Sequence, residues 1–413
     1  MNEAPNSGLR QLSPTLSPNL PPNFSPTFSP IWRLANFYFW YFAFIGVFGT
    51  YFALYLQSLG FSAAEIALLM SLQQVVRIVT PFFWGWLADR LQRRTLIIRA
   101  TMVLAIFAFA LLFLVRGYAA TAIVFAIMFS LWSAALPLFE ATVLAAVGGD
   151  SGRYARIRLW GSVGFIIAVM AAGAALDFLA MDSLLWMVLA LLALAAISAW
   201  GIADHKPRAA DTATVASIWP ILQRPPVIAL FAACFLMMAT QSANFVFYSI
   251  YMVDSGHSKS MVGMLWSLGV VAEITVFIFL PKLSARFTSF GMFYFSFLVT
   301  ALRYLVVGWF PESLALQLIA QTCHAFTYGT WHASAMFMLH RWFPGGMGAR
   351  GQALYASLAF GVGGALGCIA AGVAWDAIGA AWMFSAMSLL VMIGGVIAFR
   401  YVRDPPLNGS IVS

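Results

Sequence analysis

The chain has 413 residues, of which 62% are hydrophobic and only 9% charged, and its mean hydropathy is +0.88. Soluble domains carry about 25% charged and about 45–50% apolar residues, so this chain has too little polar surface to cover a water-soluble globule of its size. A soluble enzyme, a disulfide-stapled secreted scaffold and a nucleic-acid binder are thereby excluded as primary readings, and a polytopic membrane protein is expected.

The first 30 residues form a Ser/Pro-rich tract in which Pro14, Pro18, Pro22, Pro26 and Pro30 recur every four residues. Proline lacks the backbone N–H that a regular ladder needs, so residues 1–30 are expected to be a disordered N-terminal tail. Beyond it, a bilayer core about 30 Å thick needs about 20 apolar residues per helix. Apolar runs of that kind lie near 33–57, 64–88, 96–116, 119–147, 157–180 and 182–203, and again near 226–254, 261–283, 288–309, 313–340, 350–374 and 380–402. The expectation is an all-α membrane protein of twelve transmembrane helices. Residues 31–203 and 226–403 would form two six-helix bundles, joined by a linker at 204–225 and followed by a tail at 404–413.

The formal charge of +8 is distributed as topology, not as a nucleic-acid footprint. With both termini on the cytoplasmic side, that side holds 18 of the 22 Lys and Arg: Arg10, Arg33, Arg90, Arg93, Arg94, Arg99, Arg153, Arg156, Arg158, Lys206, Arg208, Arg224, Lys282, Arg286, Arg341, Arg350, Arg400 and Arg403. The opposite loops hold Arg116 and Lys259. An excess of cytoplasmic Lys and Arg is the positive-inside pattern. Cys234, Cys323 and Cys368 sit singly in apolar runs and read as packing residues. Neither a metal nor a cofactor is expected.

The halves repeat. Leu87-Ala-Asp-Arg90 after the second span matches Leu283-Ser-Ala-Arg286 after the eighth, and Leu159-Trp-Gly-Ser-Val-Gly-Phe165 matches Leu354-Tyr-Ala-Ser-Leu-Ala-Phe360. Six-helix repeats related by an axis along the membrane normal place a substrate site at their interface near the midplane. The stretch from Gly85 through Asp89, Arg90, Arg93 and Arg94 resembles the signature loop between the second and third helices of the major facilitator superfamily. That resemblance implies a conformational latch at Gly85, Asp89, Arg90, Arg93 and Arg94. Gln92 replaces the usual Gly here, and Ala285 stands where a second copy would carry Asp.

Ionisable residues at membrane depth are costly and mark function. Arg77, Glu140, Glu273, Arg303 and His324 qualify, with His332 beside them and Arg158 near the start of the fifth span. Arg77 and Glu273 stand 196 residues apart, so the two halves present opposite charges at equivalent depth. Glu140 and Arg158 flank one short loop, which lets adjacent antiparallel helices bring them together.

These positions, with the run from Tyr154 to Phe165, resemble the lactose permease branch. There the corresponding acid and arginine bind substrate, and Glu273, Arg303 and His324 fall where coupling charges sit. Gln321 and Thr327 replace two charged residues of that branch. Arg158-Leu-Trp-Gly-Ser-Val, Leu265-Trp-Ser-Leu-Gly-Val-Val-Ala-Glu273, Arg77, His324 and His332 are similar to a branch of 3-phenylpropionate transporters. This resemblance implies proton-coupled import of a small aromatic carboxylate across a bacterial inner membrane by a monomeric carrier.

For the carboxylate that this resemblance implies, a planar guanidinium fork is needed, with Arg77 the best-placed candidate and Arg158 the second. Gln73 shares a face with Arg77, and Asn244 and Tyr248 lie on a polar stripe of the seventh span. With Glu140, these make the expected substrate-binding set. Arg77 is alternatively a structural partner of Glu140 or Glu273. Glu273, His324, Arg303 and His332 make the expected proton-coupling set. The competing functions are a nucleoside or sugar symporter, a drug exporter and, from another class, a sensor or membrane enzyme. The sequence contains no HExxH, GxSxG or Cys/His cluster to support an enzyme.

Overall fold

The computed structural model describes residues 31–148, 150–203 and 217–403. The expected tails at 1–30 and 404–413, and the linker up to residue 216, lie outside the described residues. In chain order the rods are α1 (Ile31–Ser58), α2 (Ala63–Leu91), α3 (Arg94–Phe113), α4 (Tyr118–Val147), α5 (Ser151–Leu176) and α6 (Ser183–Ala199). They continue as α7 (Pro225–Asp254), α8 (Lys259–Arg286), α9 (Ser289–Trp309), α10 (residues 314–342), α11 (Met347–Ile378) and α12 (Ala380–Tyr401). Ten of these are each long and apolar enough to cross a membrane. Of the other two, α6 is an apolar helix of 17 residues. The last, α10, is interrupted by a π-helical segment, Ala325–Thr330. The described residues contain no strand.

Hydropathy places these helices well but misjudges the start of α5. The run from Ser151 to Arg158 is too charged to read as part of a span. Asp150 nevertheless caps it by accepting from the Arg153 N–H at 2.8 Å, and the helix starts there. A cap satisfies backbone donors whatever the polarity of the side chains that follow. Three arginines therefore stand on a helix rather than in a loop.

The two halves are built alike. Helix α1 packs on α5 and α6 as α7 packs on α11 and α12. The closest approaches repeat as well. A Cβ on Gly164 of α5 would collide with the Phe39 carbonyl oxygen of α1, and one on Gly363 of α11 would lie 2.8 Å from the Phe235 carbonyl oxygen of α7. The α5–α11 offset is 195 at Leu159 and Leu354 but 199 at these glycines; the register changes across the π-helical segment Ala356–Gly363. Gly164→Leu is expected to destabilise by about 1–3 kcal/mol or more through overpacking. A fall in the melting temperature of the purified protein checks it, and an unchanged value would refute the close contact.

Across the halves, α2 packs on α11, α5 on α8 and α1 on α7. Their firmest contacts lie at the end where α1 finishes and α2 begins, here termed the closed end. Tyr51 Oη of α1 lies 3.0 Å from the Val169 carbonyl oxygen and 3.1 Å from that of Lys259 on α8. Gln57 Nε2 donates to both Asp254 oxygens at 3.1–3.2 Å. At the opposite, open end, α5 and α8 expose much of their length, including Arg156, Leu159, Phe279 and Ser284. The core follows the same division. One apolar cluster runs through the first half and on into Val262, Leu265, Cys368 and Ala371 of the second. A separate cluster, from Ile221 to Val402, belongs to the second half alone.

Candidate functional site

The site begins on α1, where Tyr38 and Phe42 are one turn apart. The Arg158 guanidinium of α5 lies over Phe42 at 4.0 Å from the ring centroid and near Tyr38 at 5.4 Å. Such stacking holds an arginine without consuming its donors. Its Nε is 3.9 Å from Glu140 Oε1 of α4, a loose pair, while Glu140 Oε2 accepts from Tyr154 Oη at 2.9 Å. Arg158 and Glu140 are both partly exposed, at 34% and 25% of their side chains. The guanidinium fork thus remains open to a ligand.

Tyr328 lies half-buried on the π-helical segment of α10. Arg77, Arg158 and Glu273 all lie within electrostatic reach of it. Arg77 also reaches Tyr41 of α1. Arg77 is exposed, and Glu273 is half-buried. Gly329 lies beside Glu273: a Cβ there would stand in ordinary contact, 3.5 Å from the Glu273 Cγ. A π segment widens a helix and is often found at functional sites. Among the described residues no acid pairs with Arg77 and no base pairs with Glu273 within 4 Å. The structural alternative for Arg77, an ion pair with Glu140 or Glu273, is not formed in this state.

Of the remaining expected residues, Arg303, Tyr248 and Asn244 separate from this group, while Gln73, His324 and His332 stay beside it. Arg303 is 2% exposed and sits inside the second half, where its Nε donates to the Ala320 carbonyl at 2.9 Å and its Nη2 to Gln321 Oε1 at 3.3 Å. It forms no pair with Glu273. Tyr248 is fully buried and donates to Gln317 Oε1 at 3.3 Å. Asn244 is likewise buried, with neither side-chain polar atom partnered. Gln73 is half-buried on α2, one turn from Arg77. His324, Tyr328 and His332 form a ladder of near-parallel rings with centroids 5.9 and 6.0 Å apart, and His332 Nδ1 lies 3.0 Å from Tyr355 Oη. The rings Tyr38, Tyr41, Phe42, Tyr154 and Tyr328 went unassigned in the sequence, since 16% of all residues are aromatic and no ring stands out.

At the open end, Gly85, Asp89 and Arg94 help line a cavity of about 180 Å³ between α2 and α4. Arg90 stacks on Trp86 at 5.6 Å, and Arg93 is exposed. Among the described residues no ion pair within 4 Å joins Asp89 to these arginines.

Twin helical bundles that pack together at one end and carry opposite charges at membrane depth form an arrangement found in transporters. The chain belongs to the MFS_1-like family of major facilitator transporters, whose family model matches residues 31–386. It is similar to the probable 3-phenylpropionic acid transporter of Escherichia coli strain K12, at 28% identity over 87% of this chain and 95% of that one. It is also similar to the maltose permease of Geobacillus stearothermophilus, at 26% identity over 85% of this chain and 90% of the other. A crystal structure of the nucleoside transporter NupG superposes with a TM-score of 0.76 at 18% identity, covering 90% and 99% of the two chains. The chain is a multi-pass membrane protein of the transporter class.

Proposed function

We propose that the protein is a proton-coupled symporter of a small aromatic carboxylate such as 3-phenylpropionate, working by alternating access in a bacterial inner membrane. The observation that carries this reading is the Arg158 fork, stacked on Phe42 and held only loosely by Glu140. A carboxylate matches that fork in two-point geometry, and the surrounding rings offer edges and faces to an aromatic body. Arg77, exposed on α2 and, like Arg158, within electrostatic reach of Tyr328, supplies a second cation in this scheme. The similarity to a probable 3-phenylpropionic acid transporter points the same way. Glu273 is the proton carrier in this scheme. An unpaired carboxylate at membrane depth is costly, so its protonation permits reorientation with the substrate bound. The positive-inside pattern makes the open end cytoplasmic, which gives an inward-facing state.

The test is solute-driven proton movement in proteoliposomes. Addition of 3-phenylpropionate is expected to alkalinise a lightly buffered external medium, and maltose or a nucleoside is not. Binding of 3-phenylpropionate without any pH change would overturn symport. A response to the sugar or nucleoside alone would overturn the substrate class.

A further inference from the structure

The closed end carries a second arrangement that obeys the internal repeat. Asp177, just past the end of α5, accepts from the Lys259 N–H at 2.8 Å and the Ser260 N–H at 3.2 Å, the first two amides of α8. Asp376, near the end of α11, accepts from the Ala63 N–H at 3.2 Å and the Ala64 N–H at 2.9 Å, the first two amides of α2. Both bridges run between halves, in opposite directions. Each recipient helix has its own serine cap for its third amide: Ser62 accepts from Glu65 N–H and Ser258 from Met261 N–H. The first four amides of a helix have no partner within it. In this state the opposite half supplies an acceptor for two of them, and the serine for a third.

Two features show that the bridges are built into the repeat. Ser62 and Ser258 are 196 residues apart, and Asp177 and Asp376 are 199 apart, the offset already seen for α5 and α11. Glycines one turn before each aspartate let the helices approach: a Cβ on Gly173 would lie 2.7 Å from the Lys259 carbonyl oxygen, and one on Gly372 2.7 Å from that of Ala63. Slight burial alone would push the Asp177 carboxyl up, but hydrogen bonds from Ser260 and Lys259 outweigh it and hold that carboxyl below its usual range.

We propose that Asp177 and Asp376 are paired positioning residues that set the balance between the two access states of the transporter, each by binding the helix N-terminus of the opposite half. Carboxylates at helix N-termini gain from both the free N–H groups and the helix dipole. Opening the closed end breaks four such hydrogen bonds at once, so the pair favours the closed-end contact seen here. The latch acts on the conformational step alone and makes no contact with the Arg158 pocket. This inference rests on alternating access, not on the identity of the substrate.

The experiment measures two distances in one protein by nitroxide spin labels, with Cys234, Cys323 and Cys368 replaced by alanine. Ala119→Cys with Glu312→Cys spans the closed end, and Arg156→Cys with Ser284→Cys spans the open end. In the double variant Asp177→Asn, Asp376→Asn the shape is kept, but an amide donor now faces an N–H. The expected result is a longer closed-end distance together with a shorter open-end distance, with the ratio of the two states shifted about tenfold or more. Each single variant shifts it less, and carries the test if the double variant fails to fold. Asp150→Ala removes a helix cap within one half, and is expected to move neither distance. Unchanged distances in the folded double variant would overturn the proposal. So would broadening of both distances without opposite displacement, which marks simple loosening. Because no substrate is added, a wrong substrate assignment would leave this result intact.

Discussion

Arg158→Lys is expected to weaken binding of 3-phenylpropionate about 10- to 100-fold while the protein still folds. The lysine keeps the positive charge but loses the planar fork and its seat on Phe42, which lies 4.0 Å from the guanidinium. A hydrogen bond to a charged group is worth about 1.5–3 kcal/mol. Losing one arm of a two-point contact, together with the stack, accounts for a change of that size. Titration calorimetry on the purified protein measures it. Arg158→Gln should be worse, since it also leaves Glu140, whose Oε1 stands 3.9 Å from Arg158 Nε, without its cation. Wild-type affinity in Arg158→Lys would remove this residue from the substrate site, because no other role assigned to it is sensitive to the shape of the cation.

Glu273→Gln separates coupling from binding. The amide resembles the protonated carboxyl in shape and charge, so the variant should behave as if permanently loaded. Accumulation of labelled solute against its gradient is expected to fall to simple equilibration. Counterflow exchange, which needs no net proton movement, should retain a substantial fraction of the wild-type rate. The pH dependence of exchange should flatten as well. Retention of uphill transport would transfer the proton-carrying role to another group. The half-buried His332, bonded to Tyr355 at 3.0 Å, is the next residue to replace.

The sequence reached different distances for different parts of the molecule. Helix positions were legible because a membrane-spanning rod must satisfy its own backbone and bury its apolar side chains in lipid, which leaves a run of about 20 apolar residues on the page. The exceptions are instructive. The α5 start at Ser151 was hidden by its arginines and revealed by the Asp150 cap. The π segments in α10 and α11 leave no mark on hydropathy, because widening a turn changes register and not polarity. Charged site residues were equally visible, since any ionisable group at that depth stands out against an apolar background. Their grouping was not. Glu140 and Arg158 could be paired from their short loop, but Arg303 and Glu273 could be separated only once Arg303 was seen bonded to Ala320 and Gln321.

Composition, span length and the distribution of arginine and lysine are properties of the chain taken one segment at a time. They determine that this protein is an all-helical, duplicated membrane protein with opposite charges at matching depth. Which rings surround Arg158, which end is closed, and which aspartates reach across to Lys259 and Ala63 depend on segments about 80 to 310 residues apart. Those contacts are decided by close packing of helices whose interfaces carry small residues, where a single Cβ on Gly173 or Gly372 would hold the halves apart. Lipid drives the helices into the membrane, and only the fit between their surfaces selects the state in which they meet.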